Sequence, residues 1–398
     1  MGEIFAHDRL NNVACDRAPL TEREVETSLL KPKDLLFARQ SLVLSGAGKC
    51  TIFVGDREPV TFESHIIRVR LNPALTEPYF FYYLFRSDVG RSLIESIVEQ
   101  GAGASGIRGS DLQELLVPLP PLPEQRAIAS ILGALDDKID LNRRMNETLE
   151  AMARAIFKSW FVDFDPVRAK AEGKQPFGMD ADTAALFPDR LVDSEIGPIP
   201  EGWEVSALGN LCDLVKDKTE PEDVDPETSY VGLEHIPKRT FGMLETGVAA
   251  DVSSAKARFS AGDTLFGKLR PYFHKVVPAF TDGICSTDIL VLRPKSAVHS
   301  AAALLTASLD ACVEYATQYS TGTRMPRANW KDLAKFPIAM SVDLLPLFAR
   351  QADTKLKLIA RNVEQSRTLA ELRDLLLPKL LSGEIRVKDA EKAMEAAI

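Results

Sequence analysis

The sequence predicts a mixed α/β (α+β) protein: two tandem copies of one module, joined by two long helices that pair antiparallel as a coiled coil, with pseudo-two-fold symmetry. Three observations predict this. A hydrophobic seam with seven-residue spacing runs from Pro123 to Trp160. A second such seam runs from Leu345 to Leu381. The segments that precede the two seams carry the same succession of short motifs, so the order is module, helix, module, helix. The expected boundaries are a first module at 1–120, a first spacer helix at 121–162, a linker at 163–199, a second module at 200–342, a second spacer helix at 343–385 and a tail at 386–398.

In the first module, Leu29–Ser45 reads as strand, turn and strand, and Thr51–Asp56 and Ser64–Leu71 alternate as strands do. Pro78–Gln100 is an aromatic-rich helical run opened by a proline, which suits a first helical turn. Gly101–Ser110 (GAGASGIRGS) reads as a flexible glycine-rich loop.

In the first long helix, Ile128, Leu135, Asn142, Leu149 and Ile156 fall seven apart. Leu132, Ile139 and Trp160 sit four after three of these, and Ile131, Met145 and Met152 sit three after others, which makes an a/d-type seam. A helix over this run would be about 57 Å long at about 1.5 Å per residue. It cannot bury its stripe within itself and needs a partner. The prolines from Pro166 to Pro200 mark the next stretch as a linker draped over the surface.

The partner seam is Phe348, Lys355, Asn362, Leu369 and Leu376, with Lys355 as its one misfit. Both seams carry an asparagine near the middle, and in an antiparallel pair Asn142 and Asn362 meet at the midpoint. A polar pair in an apolar seam costs stability and fixes register. A partly exposed asparagine with no special role fits the spacing equally well. Ser382-Gly383 is the expected C-terminal cap.

The second module repeats the first. Asp34, Phe37 and Arg39 correspond to Asp263, Phe266 and Lys268, and the CSTDILVLRP run (Cys285–Pro294) matches ESHIIRVRLNP. Ala301–Gln318 matches the aromatic helix, and GTRMPRANWKDLAKFPI (Gly322–Ile338) matches GASGIRGSDLQELLVPL. One difference stands out. The first module has 33 residues before Asp34 and no counterpart of PEGWEVSALGNLCDLVKDKT, so it reads as truncated at its N-terminus.

Composition narrows the function classes. With 398 residues, 45% hydrophobic and 26% charged, the chain is an ordinary soluble protein of two or three domains. It has no membrane-spanning run and no signal peptide, and its five scattered cysteines read as reduced, so a cytoplasmic protein is expected. The five histidines are dispersed and suggest no metal site. A net charge of −9 argues against a dedicated nucleic-acid binder, although a local basic face can exist on an acidic chain.

Enzyme motifs are missing. There is no P-loop, and the glycines of Gly101–Gly106 do not follow a strand as a dinucleotide fingerprint requires. Asp163–Val167 is not the Asp-Pro-Pro-aromatic motif of amino-methyltransferases, and Phe187–Glu195 lacks the lysine of a nuclease triad. Binding features are clearer. Phe266–Lys275 sets Lys268, Arg270, His274 and Lys275 around Pro271-Tyr272-Phe273, and Thr321–Trp330 adds Arg324, Arg327 and Asn329. Cations interleaved with aromatics on a tight turn suit a phosphate backbone or base edges. Arginine and asparagine suit bidentate readout of guanine and adenine. The first-module counterparts are Arg39, Gln40, Ser41, Lys49 and Arg108. Ordinary surface cations on a globular domain fit the same spacing.

Several runs, in one order, resemble the specificity subunit of type I restriction-modification systems: Leu119–Val167, Ile199–Leu211, GDTLFGKLRPYFHK with CSTDILVLRP, and Leu376–Val387. The resemblance covers nearly the whole chain. It implies a non-catalytic subunit whose two modules are target-recognition domains, each reading one half of a split site in double-stranded DNA. The long helices would space the modules and dock two methyltransferase subunits, and a restriction and translocase subunit would join them. S-adenosylmethionine, ATP and magnesium would belong to those partners, with no cofactor on this chain. The resemblance also implies DNA contacts by Lys268, Arg270, Tyr272, Lys275, Arg324 and Arg327 in the second module, and by Arg39, Lys49 and Arg108 in the first. A spacer of about 57 Å would set the readers between one and two turns of B-DNA apart, a turn being about 34–36 Å. The alternative is a decayed or regulatory subunit that binds the methyltransferase without reading specific DNA.

Overall fold

The computed structural model describes residues 2–101, 103–322 and 324–397. Ala102 of the glycine-rich run and Thr323 of the second basic stretch lie outside the described residues. The chain forms two compact units: Met1–Ile139 with Thr368–Ile398, and Asp140–Arg367. The two long helices, Leu122–Phe161 and Leu345–Ser382, therefore each contribute to both units.

The first unit holds strands β1 (Arg9–Asn11), β2 (Leu35–Ala38), β3 (Gln40–Ser41), β4 (Cys50–Gly55), β5 (Ile66–Val69), β6 (Glu99–Gln100) and β7 (Ser105–Gly106). One sheet has the order β1-β4-β2-β5 and a second the order β3-β7-β6. β2 is buried along its whole length and runs antiparallel to both neighbours, with Leu35 opposite Ile52 and Val69. The helical run expected over Pro78–Gln100 is two helices, Pro78–Arg86 and Asp88–Glu95. Ser87 separates them because its hydroxyl accepts from the Gly90 amide and caps the second helix. The expected flexible loop is partly ordered as well, since β7 falls within it and the helix Gly109–Glu114 begins at its end.

The core of this unit joins Leu35, Phe37, Phe80 and Leu84 to Leu132 and Leu135 of the first long helix and Leu369 and Leu376 of the second. Tyr83 donates to one oxygen of buried Asp136 at 2.7 Å, and Arg373 donates to the other at 2.7 Å. Gly383, at φ +73, ends the second long helix in the left-handed conformation that glycine adopts without steric cost. The segment expected as a tail is a helix, Val387–Ala397. It folds back because Ala390 is fully buried and Val387, Met394 and Ala397 pack on the unit core.

In the second unit a four-stranded sheet has the order Cys212–Leu214, Ile289–Pro294, Thr264–Gly267, Val276–Pro278. Its last three strands correspond to β5, β2 and β4. The strand Cys212–Leu214 pairs along the edge of Ile289–Pro294, whereas β5 has no described strand on its outer edge. A five-stranded sheet and the pair Glu204–Ala207 with Pro337–Met340 complete the unit's larger sheets.

The linker expected to drape over the surface is packed. It carries helices Asp165–Ala171 and Ala181–Ala185, and it buries Phe164, Val167, Phe187 and Ile199. These join Phe157, Trp160, Phe161, Trp203 and Phe348 in one hydrophobic cluster. Here the prolines punctuate short helices, and large apolar side chains supply the reason to stay on the core.

Within the second unit the long helices run antiparallel: Asn142 bonds Gln365, and the rings of Phe157 and Phe348 lie 5.5 Å apart. The inward stripe is Asn142, Asn146, Ala153, Phe157 and Trp160. Met145 and Met152, assigned to the seam from spacing, are exposed. In this stretch the steps of four (Asn146, Ala153, Trp160) stay on the buried face and the steps of three do not, whereas Ile131 and Leu132 of the same helix are both buried. Lys355 is half-exposed, with its ammonium on the Gln351 carbonyl.

Candidate nucleic-acid interface

The two units build the same hairpin around the same buried aspartate. In the first, Asp34 Oδ2 accepts from the Lys31 amide at 2.8 Å, and Arg70 grips both carboxylate oxygens at 2.7 and 2.6 Å. In the second, Asp263 Oδ2 accepts from the Ser260 amide at 2.8 Å, and Arg293 grips both oxygens at 2.9 and 2.7 Å. The residue before each aspartate has positive φ: Lys33 at +76 and Gly262 at +92. Glycine suits that turn, and Lys33 adopts it despite its side chain.

This hairpin fixes the strand end that carries the candidate contacts. Arg39 donates its amide to the His65 carbonyl and accepts from the Ile107 amide, both at 2.9 Å. Lys268 donates to the Asp288 carbonyl at 3.0 Å and accepts from the Ala328 amide at 2.9 Å. The backbone pattern is therefore repeated, with Arg39 in the place of Lys268.

In the second unit, Lys268 leads into a 3-10 turn at Pro271–Phe273, flanked by Arg270 (φ +51) and His274 (φ +52). Two non-glycine residues in the left-handed region store strain, which the surrounding bonds must offset. The Arg270 amide donates to Pro326 at 2.8 Å, and Leu269 forms an antiparallel bridge with Arg327. These bonds bring the two basic stretches side by side. Asp288, which sequence reading did not single out, lies among them. Its Oδ1 is 3.9 Å from Lys268 Nζ and 3.6 Å from Arg327 Nε. Its position in the CSTDIL run, just before a strand, was the available signal.

Tyr272 is 49% exposed at the crest of the turn, with its ring edge-on to Phe273 at 4.9 Å. The Arg270 guanidinium lies 6.0 Å from the Phe273 ring centre, and its Nε is buried without a hydrogen-bond partner. Arg324 is exposed. Lys275 is placed differently. Its ammonium bonds the Leu233 carbonyl, and burial, then the Lys238 charge, push its pKa below the ordinary value. Beside it, His274 is buried with Nε2 3.0 Å from the Ser308 carbonyl. Burial, then Arg239, lower its pKa.

In the first unit, Arg39, Glu99 and Arg108 line one concavity, and Arg108 pairs with Glu99 at 2.7 Å. Lys49 lies apart from that lining. Its ammonium donates to the Phe5 carbonyl at 3.1 Å and sits 3.7 Å from Asp8.

Asn142 is fully buried, and its amide donates to Gln365 Oε1 at 3.0 Å, Ser366 Oγ at 3.2 Å and the Asn362 carbonyl at 3.4 Å. Asn362 donates to Asn146 at 2.8 Å. The two seam asparagines meet as parts of one polar layer, with no bond between their side chains.

Among the described residues, no group of three or more His, Cys, Asp or Glu side chains could hold a metal ion. No helix among them is long and apolar enough to cross a membrane.

Known proteins share sequence with this chain along most of its length. Residues 9–151 match the type I restriction modification DNA specificity domain. The chain is 25% identical to the type I restriction enzyme HindI specificity subunit of Haemophilus influenzae, over 89% of this chain and 87% of that protein. It is 24% identical to the MjaIX specificity subunit of Methanocaldococcus jannaschii, over 93% and 82%. A solved type I restriction-modification S subunit from M. genitalium aligns over 94% of this chain and 88% of that one, at 14% identity and a TM-score of 0.46. Residues 9–151 thus carry the match to that specificity domain, and along most of its length the chain is similar to specificity subunits of type I restriction enzymes.

Proposed function

We propose that this chain reads a bipartite DNA site for a type I restriction-modification complex, each unit reading one part. The observation that carries this is the recurrence of one cationic strand end, Arg39 in the first unit and Lys268 in the second, with the same backbone bonds. Phosphate contacts position such a protein and base-edge contacts specify the sequence. Arg270, Tyr272, Arg324 and Arg327 are the proposed contacts in the second unit, with Arg39 and Arg108 in the first. Lys268 and Arg327 face Asp288, and DNA phosphate would compete with that carboxylate for them. Lys275 and Lys49 are already engaged by protein carbonyls and contribute charge to the surface rather than base contacts.

The chain is proposed to act without catalysis of its own, in the cytoplasm. Two methyltransferase subunits and a restriction and translocase subunit would bring S-adenosylmethionine, ATP and magnesium. Asn142 and Asn362 are proposed to fix the register of the long helices. The second reading is a decayed or regulatory subunit that binds the methyltransferase without specific DNA recognition; the pairing of Arg108 with Glu99 and the closeness of Lys49 to Asp8, which occupy first-unit cations, speak for it.

Methylome sequencing of a host expressing this chain with a cognate methyltransferase tests both. A split, asymmetric methylated motif is the expected result. A symmetric motif would mean that one unit is silent, and an assembled complex without sequence-specific methylation would sink the specificity role.

A further inference from the structure

Building on that reading, we propose that Leu42 and Val43 form an apolar wedge that inserts between stacked base pairs of the half-site read by the first unit. Leu42 is 88% exposed and Val43 59%, whereas the neighbouring strand β2 is buried throughout. They follow β3 directly, so the strand that carries Gln40, next to Arg39, runs straight into the tip.

The tip is held in place. The Val43 amide donates to Ser41 Oγ at 3.2 Å, and Leu44–Gly46 forms a 3-10 turn. Arg91 reaches across to donate to the Leu44 carbonyl at 2.8 Å and the Ala47 carbonyl at 3.0 Å. Apolar groups fixed in water on a braced turn mark a contact surface.

The second unit has the same device in different residues. Lys268, the counterpart of Arg39, is followed by the 3-10 turn Pro271–Phe273, with exposed Tyr272 at its crest. Each unit thus places a cation and then a bulky tip at the same point of the hairpin. A partner that satisfies both must offer negative charge beside an apolar slot. Stacked bases between two phosphate strands offer this, and apolar side chains that enter base steps unstack and kink the duplex. Pyrimidine–purine steps open at least cost, so the half-site is expected to hold one where the tip enters.

The test uses the complex of this chain with its methyltransferase, on duplexes carrying its methylated motif, with 2-aminopurine replacing each purine of the half-site in turn. One pyrimidine–purine step should brighten on binding. Leu42→Ser should abolish that signal and weaken binding about tenfold, with Val43→Ser acting in the same direction. Leu75→Ser, at another exposed leucine, should change neither. Motif-specific binding with no brightened step would overturn the wedge and leave the specificity reading standing. If Leu42→Ser kept the DNA signal but lost the methyltransferase, the tip would be a protein interface and the wedge would again be overturned. A wild-type complex without motif-specific binding would overturn both.

Discussion

Asp263 is 2% exposed, yet it carries a carboxylate, which is tolerated only because three donors converge on it. Arg293→Met would leave one backbone amide as its partner. A buried acceptor stripped of its partner costs about 1–3 kcal/mol, so the urea midpoint of the second unit should fall. Arg70→Met should do the same to the first unit through Asp34. Unchanged midpoints would show that the pairs are ornamental. His274 makes a pH prediction. Its folded pKa lies below the ordinary value of 6.5 because burial and Arg239 disfavour the imidazolium. Above pH 6.5 the ring is neutral in both states and contributes nothing. Below it the unfolded chain takes up a proton that the folded chain refuses, so stability falls as pH drops from 6.5 towards the folded value. His274→Asn, which tolerates the left-handed backbone, should flatten the change in melting temperature between about pH 7.5 and pH 5.5. An unaltered slope would assign the pH dependence elsewhere.

At the scale of the element, the long helices carry a buried polar layer where apolar packing would be more stable. Asn142 Oδ1 is buried without a partner, so the layer includes an unsatisfied acceptor. Asn142→Leu should raise the thermal stability of the helix pair and loosen its register. Hydrogen exchange over residues near 142 and 362 should then become bimodal. A single protected population, as in the parent, would remove the register role. The same element explains why spacing alone misplaced Met145 and Met152. Over one or two heptads, offsets of three and four look equally periodic, and only the partner's position selects between them.

At the scale of the whole molecule, the repeat makes a prediction about specificity. If each unit reads its own half-site, Arg270→Ala or Arg327→Ala should relax the sequence requirement of one half and leave the other intact. Each lost base contact is worth about 1–3 kcal/mol of discrimination. Methylome sequencing of the variants reads this directly, and equal loss in both halves would mean that the units do not read independently.

The duplication, both long helices and the aspartate shared by the two hairpins were legible in the sequence, because each rests on local pattern: a seven-residue period, or Asp34 and Asp263 at matching places in matching runs. The cations of the candidate interface were legible as residue types. What they touch was not. Asp288 between Lys268 and Arg327, the Leu233 carbonyl on Lys275 and the Phe5 carbonyl on Lys49 come from segments distant in sequence. The 163–199 stretch and the terminal helix went the same way. Their prolines and charges read as linker and tail, while Phe164, Phe187 and Ala390 are buried by partners that only the folded chain supplies. Local propensity determined the elements. Long-range burial decided which faces they show and which charges remain available to a partner.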